Sequence, residues 1–199
     1  MTKRVLIIGG YGNFGSFITK TLAEDERIQI IIAGRSPDKA QNLAQEVDAA
    51  HQLEYARIDI NEDITDALAA IKPDIVVHTS GPFQKQSYDV AQACIAAGAH
   101  YIDLADGRDF VAGIAALDAT AKAHNVLLIS GASSVPCLTS ALIAHYQPTF
   151  GALETIDYGI TTAQKTARGL ATTAAILGYT GKPFKTLIDG RFRDVYGWQ

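Results

Sequence analysis

Arg4-Val5-Leu6-Ile7-Ile8-Gly9-Gly10-Tyr11-Gly12-Asn13-Phe14-Gly15 is the stretch on which the reading of this sequence turns. A β-branched apolar run of strand length leads straight into a G-x-G-x-x-G at Gly10, Gly12 and Gly15. Phe14 to Leu22 then continues as a helix, with Phe14, Ile18 and Leu22 at four-residue spacing on one face. In a strand-turn-helix the three glycines serve a tight turn, close approach of a pyrophosphate to the backbone, and close packing of helix on strand. The free N–H groups and the positive dipole end of the helix face the phosphates. Glycine-rich turns are common, but here the flanking strand and helix that the motif requires are both present. The stretch therefore predicts a dinucleotide site at Gly10, Gly12 and Gly15, with Asn13 and Phe14 between them; the competing reading is a purely structural turn.

Working outward, the same rhythm repeats. Ile28 to Ala33 reads as a second strand, followed by a helix start at Ser36-Pro37-Asp38 with Ser36 as N-cap and Ala40, Leu43 and Val47 inward. Strands are predicted over Glu54–Ile60, Asp74–Thr79, His100–Leu104 and Asn125–Ile129. Helices are predicted over Glu62–Ala70, Ser87–Ala97 with Gly98 as a left-handed cap, and Asp109–Ala123, where Phe110, Ile114, Leu117 and Ala121 share a stripe. Strands alternating with crossover helices predict a doubly wound α/β fold, a parallel sheet covered on both faces. After Tyr146 the rhythm changes: a turn-rich junction, a strand over Leu153–Ile160, one helix within Thr161–Gly178, and a tail without helical period. The division expected is a nucleotide-binding domain over 1–146 and the start of an incomplete second domain over 147–199.

The 199 residues are 48% hydrophobic and 19% charged, an ordinary globular balance that excludes disordered, collagen-like and coiled-coil classes. Seventeen basic against twenty-one acidic residues form no basic stripe, which gives nucleic-acid binding little electrostatic support. No apolar run approaches the ~20 residues of a membrane-spanning helix. Cys94 and Cys137 lie far apart, with no Cys-x-x-Cys or His pair, so neither a disulfide framework nor a metal site is expected. A reducing, cytoplasmic setting is the consequence.

The end of the second strand reports on the kind of dinucleotide. An NAD-selective site tends to place Asp or Glu there, about 20 residues after the turn, on the ribose 2′-hydroxyl. This chain has Ala33-Gly34-Arg35-Ser36 instead. The Arg35 guanidinium can grip a 2′-phosphate and stack on adenine, and Ser36 can add its hydroxyl and backbone N–H, which favours NADP over NAD. A solvated surface Arg is the alternative. Asp59-Ile60 would lie beside the adenine, with Asp59 accepting from its exocyclic amine or, equally, capping a turn. Ser80-Gly81-Pro82-Phe83 follows the fourth strand, where the nicotinamide half passes: Gly81 allows close approach, Pro82 stiffens the loop and Phe83 can wall off the ring.

His78, Cys94, His100, Tyr101 and Asp103 are the tempting catalytic groups, each with a structural alternative. Cys94 reads better as a buried thiol and His78 as a hydrogen-bonded core residue, while Tyr101 and Asp103 share one strand face. Asp106 and Arg108, past the end of the fifth strand, are better placed for a substrate cleft. There is no Tyr-x-x-x-Lys and no His-Glu-x-x-His, and Gly131-Ala132-Ser133-Ser134-Val135 lacks the closing Gly of a nucleophile elbow. Hydride transfer by a nicotinamide needs none of them.

Gly9-Gly10-Tyr11-Gly12-Asn13-Phe14-Gly15, Ala33-Gly34-Arg35-Ser36, Ser80-Gly81-Pro82-Phe83, the run Ala93 to Asp103 and Val135-Pro136 together resemble the saccharopine dehydrogenase-like oxidoreductases over about residues 3 to 145. The resemblance implies an NAD(P)-binding Rossmann domain, followed in full-length relatives by a larger α+β domain that shapes the substrate pocket and often the dimer interface. A family member of ordinary size would be cut roughly in half here. The expectation is an NADP-dependent oxidoreductase acting on a C–N or C–O centre of a small molecule, pairing as a homodimer through its C-terminal region. A regulatory module that senses NADP without a completed catalytic site is one alternative; a reductase of a carbonyl substrate with its own short cap is another.

Overall fold

Six strands, β1 (Lys3–Ile8), β2 (Ile28–Gly34), β3 (Glu54–Arg57), β4 (Ile75–His78), β5 (His100–Asp103) and β6 (Leu128–Ile129), form one sheet in the order β3-β2-β1-β4-β5-β6, every pair parallel. The structure is a computed structural model and describes residues 2–161, 165 and 169–197. The sheet is covered by α1 (Asn13–Leu22), α2 (Pro37–Glu46), α3 (Thr65–Ile71), α4 (Asp89–Ala97), α5 (Arg108–Gly113) and α6 (Asp118–Ala123), and α7 (Thr139–Tyr146) follows it. This is the doubly wound α/β fold that the alternation predicted.

The two-residue period of the strands makes the layers. Leu6, Ile8, Ile31, Ala33, Val76 and Tyr101 point to one face and pack with Ile64, Leu68, Val90 and Cys94. Val5, Ile7, Ile30, Ile32 and Val77 point to the other, against Ala23, Ala40 and Leu43. Central strands buried on both faces read as unbroken apolar runs, which is why β1 and β2 are so plain in the sequence. The order runs outward in one direction from β1 and in the other from β4. Their carboxyl ends part at the switch point where ligands of open α/β sheets bind.

Several predicted spans change. Phe14, placed on the core face of α1, is 55% exposed, because Gly15 and Thr19 turn to the sheet instead. The helix predicted over Asp109–Ala123 breaks between α5 and α6 into a tighter turn at Ile114–Leu117. There the Tyr88 hydroxyl donates to the Phe110 carbonyl at 2.7 Å and fills the space over Gly113. β6 is shorter than predicted because Asn125 takes φ 55° and the Val126 amide bonds back to Ala121 O at 2.9 Å, so both belong to the preceding turn. Leu153–Ile160 is not a strand. Its alternation suits one, but it has no ladder partner among the described residues, and Leu153, Ile156, Tyr158 and Ile160 are all exposed.

The chain divides into two compact units, Met1–Thr161 and Thr162–Gln199. The second unit contains α8 (Leu170–Gly178) and an antiparallel hairpin of β7 (Pro183–Ile188) and β8 (Arg191–Tyr196). Asp189 and Gly190 both take positive φ, 49° and 70°, the two-residue hairpin turn that an Asp-Gly pair favours. No helix among the described residues is long and apolar enough to cross a membrane, and none of their His, Cys, Asp and Glu side chains gather as a metal site.

Candidate functional site

The glycine turn is built from the end of β1 outward. The amides of Gly9 and Gly10 both donate to Ala33 O, at 2.8 and 3.1 Å, and the Gly12 amide closes the turn on Gly9 O at 2.8 Å. The first bond of the α1 ladder runs from Ser16 N to Gly12 O at 2.8 Å, so the amides of Asn13, Phe14 and Gly15 precede the ladder and lie at its positive end. A Cβ on Gly15 would overlap Gly9 O and come within 2.8 Å of Gly10 Cα; only glycine lets the helix start this close to the strand. Thr19, fully buried one turn on, donates to Gly10 O at 3.1 Å and ties the turn to α1. The motif alone gave no hint of Thr19.

The second wall comes from the end of β4. The Thr79 hydroxyl reaches Ile8 O at 2.9 Å and Gly9 O at 3.2 Å, and a Cβ on Gly9 would lie 2.6 Å from Ser80 Oγ. Gln86 Nε2 donates to Ser80 O at 2.7 Å and Pro82 O at 3.0 Å, fixing the loop from below. Thr79 and Ser80 thus stand beside the turn, and Gly81 and Pro82 continue the same loop. Phe83 does not wall a cleft: it is 5% exposed and packs inward with Ala105 and Phe110, its ring 5.0 Å from that of His78.

The loop after β2 carries Arg35, exposed, with Ser36 next to it. Ser36 sits at the N-cap position of α2 without a side-chain cap bond, and its N–H, expected to be open to a phosphate, is donated to Tyr11 Oη at 2.9 Å. Asp59 accepts from the Asn61 amide at 3.1 Å and its side-chain nitrogen at 2.8 Å. The amide bond is the main cause holding the Asp59 carboxyl below its usual range, with the charges of Arg35 and Arg57 adding to it. The turn-forming alternative for Asp59 is therefore present in the structure, with Arg35 near enough to be felt. Ile60 lines a groove of about 730 Å³ between residues 60–65 and the start of α4.

The profile of the saccharopine dehydrogenase NADP-binding domain matches residues 5–129. The chain belongs to the saccharopine dehydrogenase family. It carries that family's NADP-binding domain. A glutamyl-tRNA reductase from Methanosphaera stadtmanae is 39% identical over 80 residues, which are 40% of this chain and 18% of that protein. The solved saccharopine dehydrogenase (L-Glu forming) of Saccharomyces cerevisiae superposes with a TM-score of 0.56 at 17% identity, over 73% of this chain and 32% of its own. That likeness is one of fold. The chain spans less than a third of either relative's length.

The glycine cradle, the amides at the start of α1 and the exposed Arg35 fit NADP, the dinucleotide of the family. Its pyrophosphate would rest on residues 10–15, its 2′-phosphate near Arg35 and its nicotinamide end by residues 80–82. At that last end three of this chain's candidate chemical groups are sealed. His78 is 1% exposed, Tyr101 1% and Asp103 0%. Neighbours in the β4–β5 register, His78 and Asp103 form a buried group with Tyr101, whose hydroxyl lies 3.1 Å from His78 Nδ1. Burial pushes the His78 pKa down to about 4 against the opposing Asp103 charge, and raises that of Tyr101 well above the usual phenol range. Asp103 Oδ1 accepts from Ala105 N, Ser130 Oγ and Gly131 N at 2.9, 3.0 and 2.8 Å, while Ala132 N reaches Asp103 O at 2.8 Å.

The other candidates disperse. Burial pushes the Cys94 thiol up to about 12, and His100, at the opposite end of β5, accepts from the Leu127 amide at 3.1 Å. Asp106 and Arg108 are exposed beyond β5, with Gln84 Nε2 donating to Asp106 at 2.9 Å.

Proposed function

We propose that this chain is the cofactor-binding part of an NADP-dependent oxidoreductase that moves a hydride to or from a C–N or C–O centre of a small molecule. The observation that carries the reading is the glycine turn at the switch point with Arg35, and no carboxylate, closing the end of β2. When bound, the nicotinamide supplies the hydride chemistry. The protein's share is placement: the amides of Asn13 and Phe14 and the close approach at Gly15 hold the pyrophosphate, Arg35 neutralises a 2′-phosphate, and the Thr79–Pro82 loop borders the reacting end. Asp106 and Arg108 lie where a substrate would enter. The sealing of His78, Tyr101 and Asp103 supports the second reading, an NADP-sensing module without a proton-transfer group of its own. Under either reading we infer a cytoplasmic setting, in keeping with the free Cys94 and Cys137, and pairing of two chains through the C-terminal region.

Calorimetric titration with NADPH and NADH, on the wild type and Arg35→Ala, tests the cofactor reading. The wild type binds NADPH more tightly, and Arg35→Ala weakens NADPH by at least about tenfold while leaving NADH nearly unchanged, the loss of a charge-assisted contact. Equal affinities in the wild type, or equal losses in the variant, defeat the reading.

A further inference from the structure

Tyr11 occupies a variable place in the glycine turn, yet its side chain reaches across to the loop after β2. Its hydroxyl accepts the Ser36 amide proton at 2.9 Å. Its ring covers Gly34 so closely that a Cβ there would lie 2.6 Å from Cε1 and 2.7 Å from Oη. Gly34 is glycine to make room for this ring, and the residue between these two contacts is Arg35. A phenol both donates and accepts. With Ser36 N–H as its donor, the Tyr11 O–H proton is left over, and no acceptor for it is found among the described residues.

We propose that Tyr11 is a specificity-determining residue for the 2′-phosphate of NADP, donating its hydroxyl proton to a phosphate oxygen while the Ser36 amide fixes the hydroxyl in place beside Arg35. The inference rests on the NADP reading above and deepens it. A hydrogen bond to a charged acceptor contributes more than one to a neutral hydroxyl, so Tyr11 favours the 2′-phosphate over the 2′-hydroxyl of NAD. It also joins the part of the site that holds the pyrophosphate to the part that reads the ribose.

The test is Tyr11→Phe, which keeps the ring over Gly34 and removes only the hydroxyl, titrated with NADPH, NADH, 2′,5′-ADP and 5′-AMP beside the wild type and Arg35→Ala. The expected result is about a tenfold weaker affinity for NADPH and 2′,5′-ADP, with NADH and 5′-AMP changed by no more than about threefold. A second measurement needs no variant: in the wild type labelled with carbon-13 tyrosine, the Tyr11 Cζ resonance moves with 2′,5′-ADP and stays with 5′-AMP. An equal loss for all four ligands, no loss at all, or a Cζ resonance that ignores the 2′-phosphate overturns the proposal. If Arg35→Ala abolishes an NADPH preference that Tyr11→Phe retains, Tyr11 alone loses its role. If the wild type shows no preference, the cofactor reading fails and takes this one with it.

Discussion

His78 offers a measurable consequence of burial. In the folded chain its imidazole titrates at about 4 rather than 6.5, because burial opposes the charged form more than Asp103 favours it. In the unfolded chain it titrates near its ordinary value, so between those two pH values the unfolded state holds the extra proton. Stability therefore falls as pH falls through that window, and the dependence ends once both states are protonated. At about 1.4 kcal/mol per pH unit, the full loss is about 3 kcal/mol. The assay is urea unfolding in buffers from about pH 7.5 to about pH 4.5, on the wild type and His78→Gln. Glu54, held low by its bidentate hydrogen bonds from Arg4, and Asp74, held low by the Arg4 amide, lose stability at lower pH in both proteins. The difference between the two curves isolates the histidine. At the acid end the wild type should have lost about 2–3 kcal/mol more than the variant, relative to neutral pH. Parallel curves would refute the buried neutral imidazole.

Two further outcomes follow from the geometry. Gly15→Ala places a methyl group against the backbone of Gly9 and Gly10, which must move; stability should drop by about 1–3 kcal/mol and NADPH binding should be lost, checked by unfolding and calorimetry. In the native chain a thiol reagent should modify exposed Cys137 quickly and buried Cys94 only on unfolding, read as one equivalent before denaturant and two after.

The sequence carried the sheet well because β1, β2 and β4 are central, and burial on both faces writes itself as uninterrupted Val and Ile. It carried Gly98 equally well, at φ 70° behind α4, because a left-handed cap selects its own residue. Edges were harder. Asn125 and Val126 look like strand until the turn after α6 claims them, and Leu153–Ile160 alternates without a partner among the described residues. The hairpin went unread, because the strands around its Asp-Gly turn carry Lys185, Arg191, Arg193 and Asp194 and show no clean alternation. At the site, the glycines were legible because backbone clearance selects its own residue. Tyr11 and Thr19 were not, since each acts on a residue distant in sequence, Ser36 and Gly10. Phe83 was read as facing the cleft because sequence gives a loop's composition and not its rotation.

The clasp that Asp103 makes on Ser130, Gly131 and Ala132 has a mechanical meaning. β6 contributes only two residues to the ladder, so on hydrogen-bond count alone it would be the first part of the sheet to peel. One carboxylate and its own carbonyl bolt its outgoing loop to the end of β5 instead. The far side of the cleft is thus pinned at its floor by four hydrogen bonds on one residue. Anything pressing on residues 130–132 would transmit its load directly into the strand that carries Tyr101, next to His78.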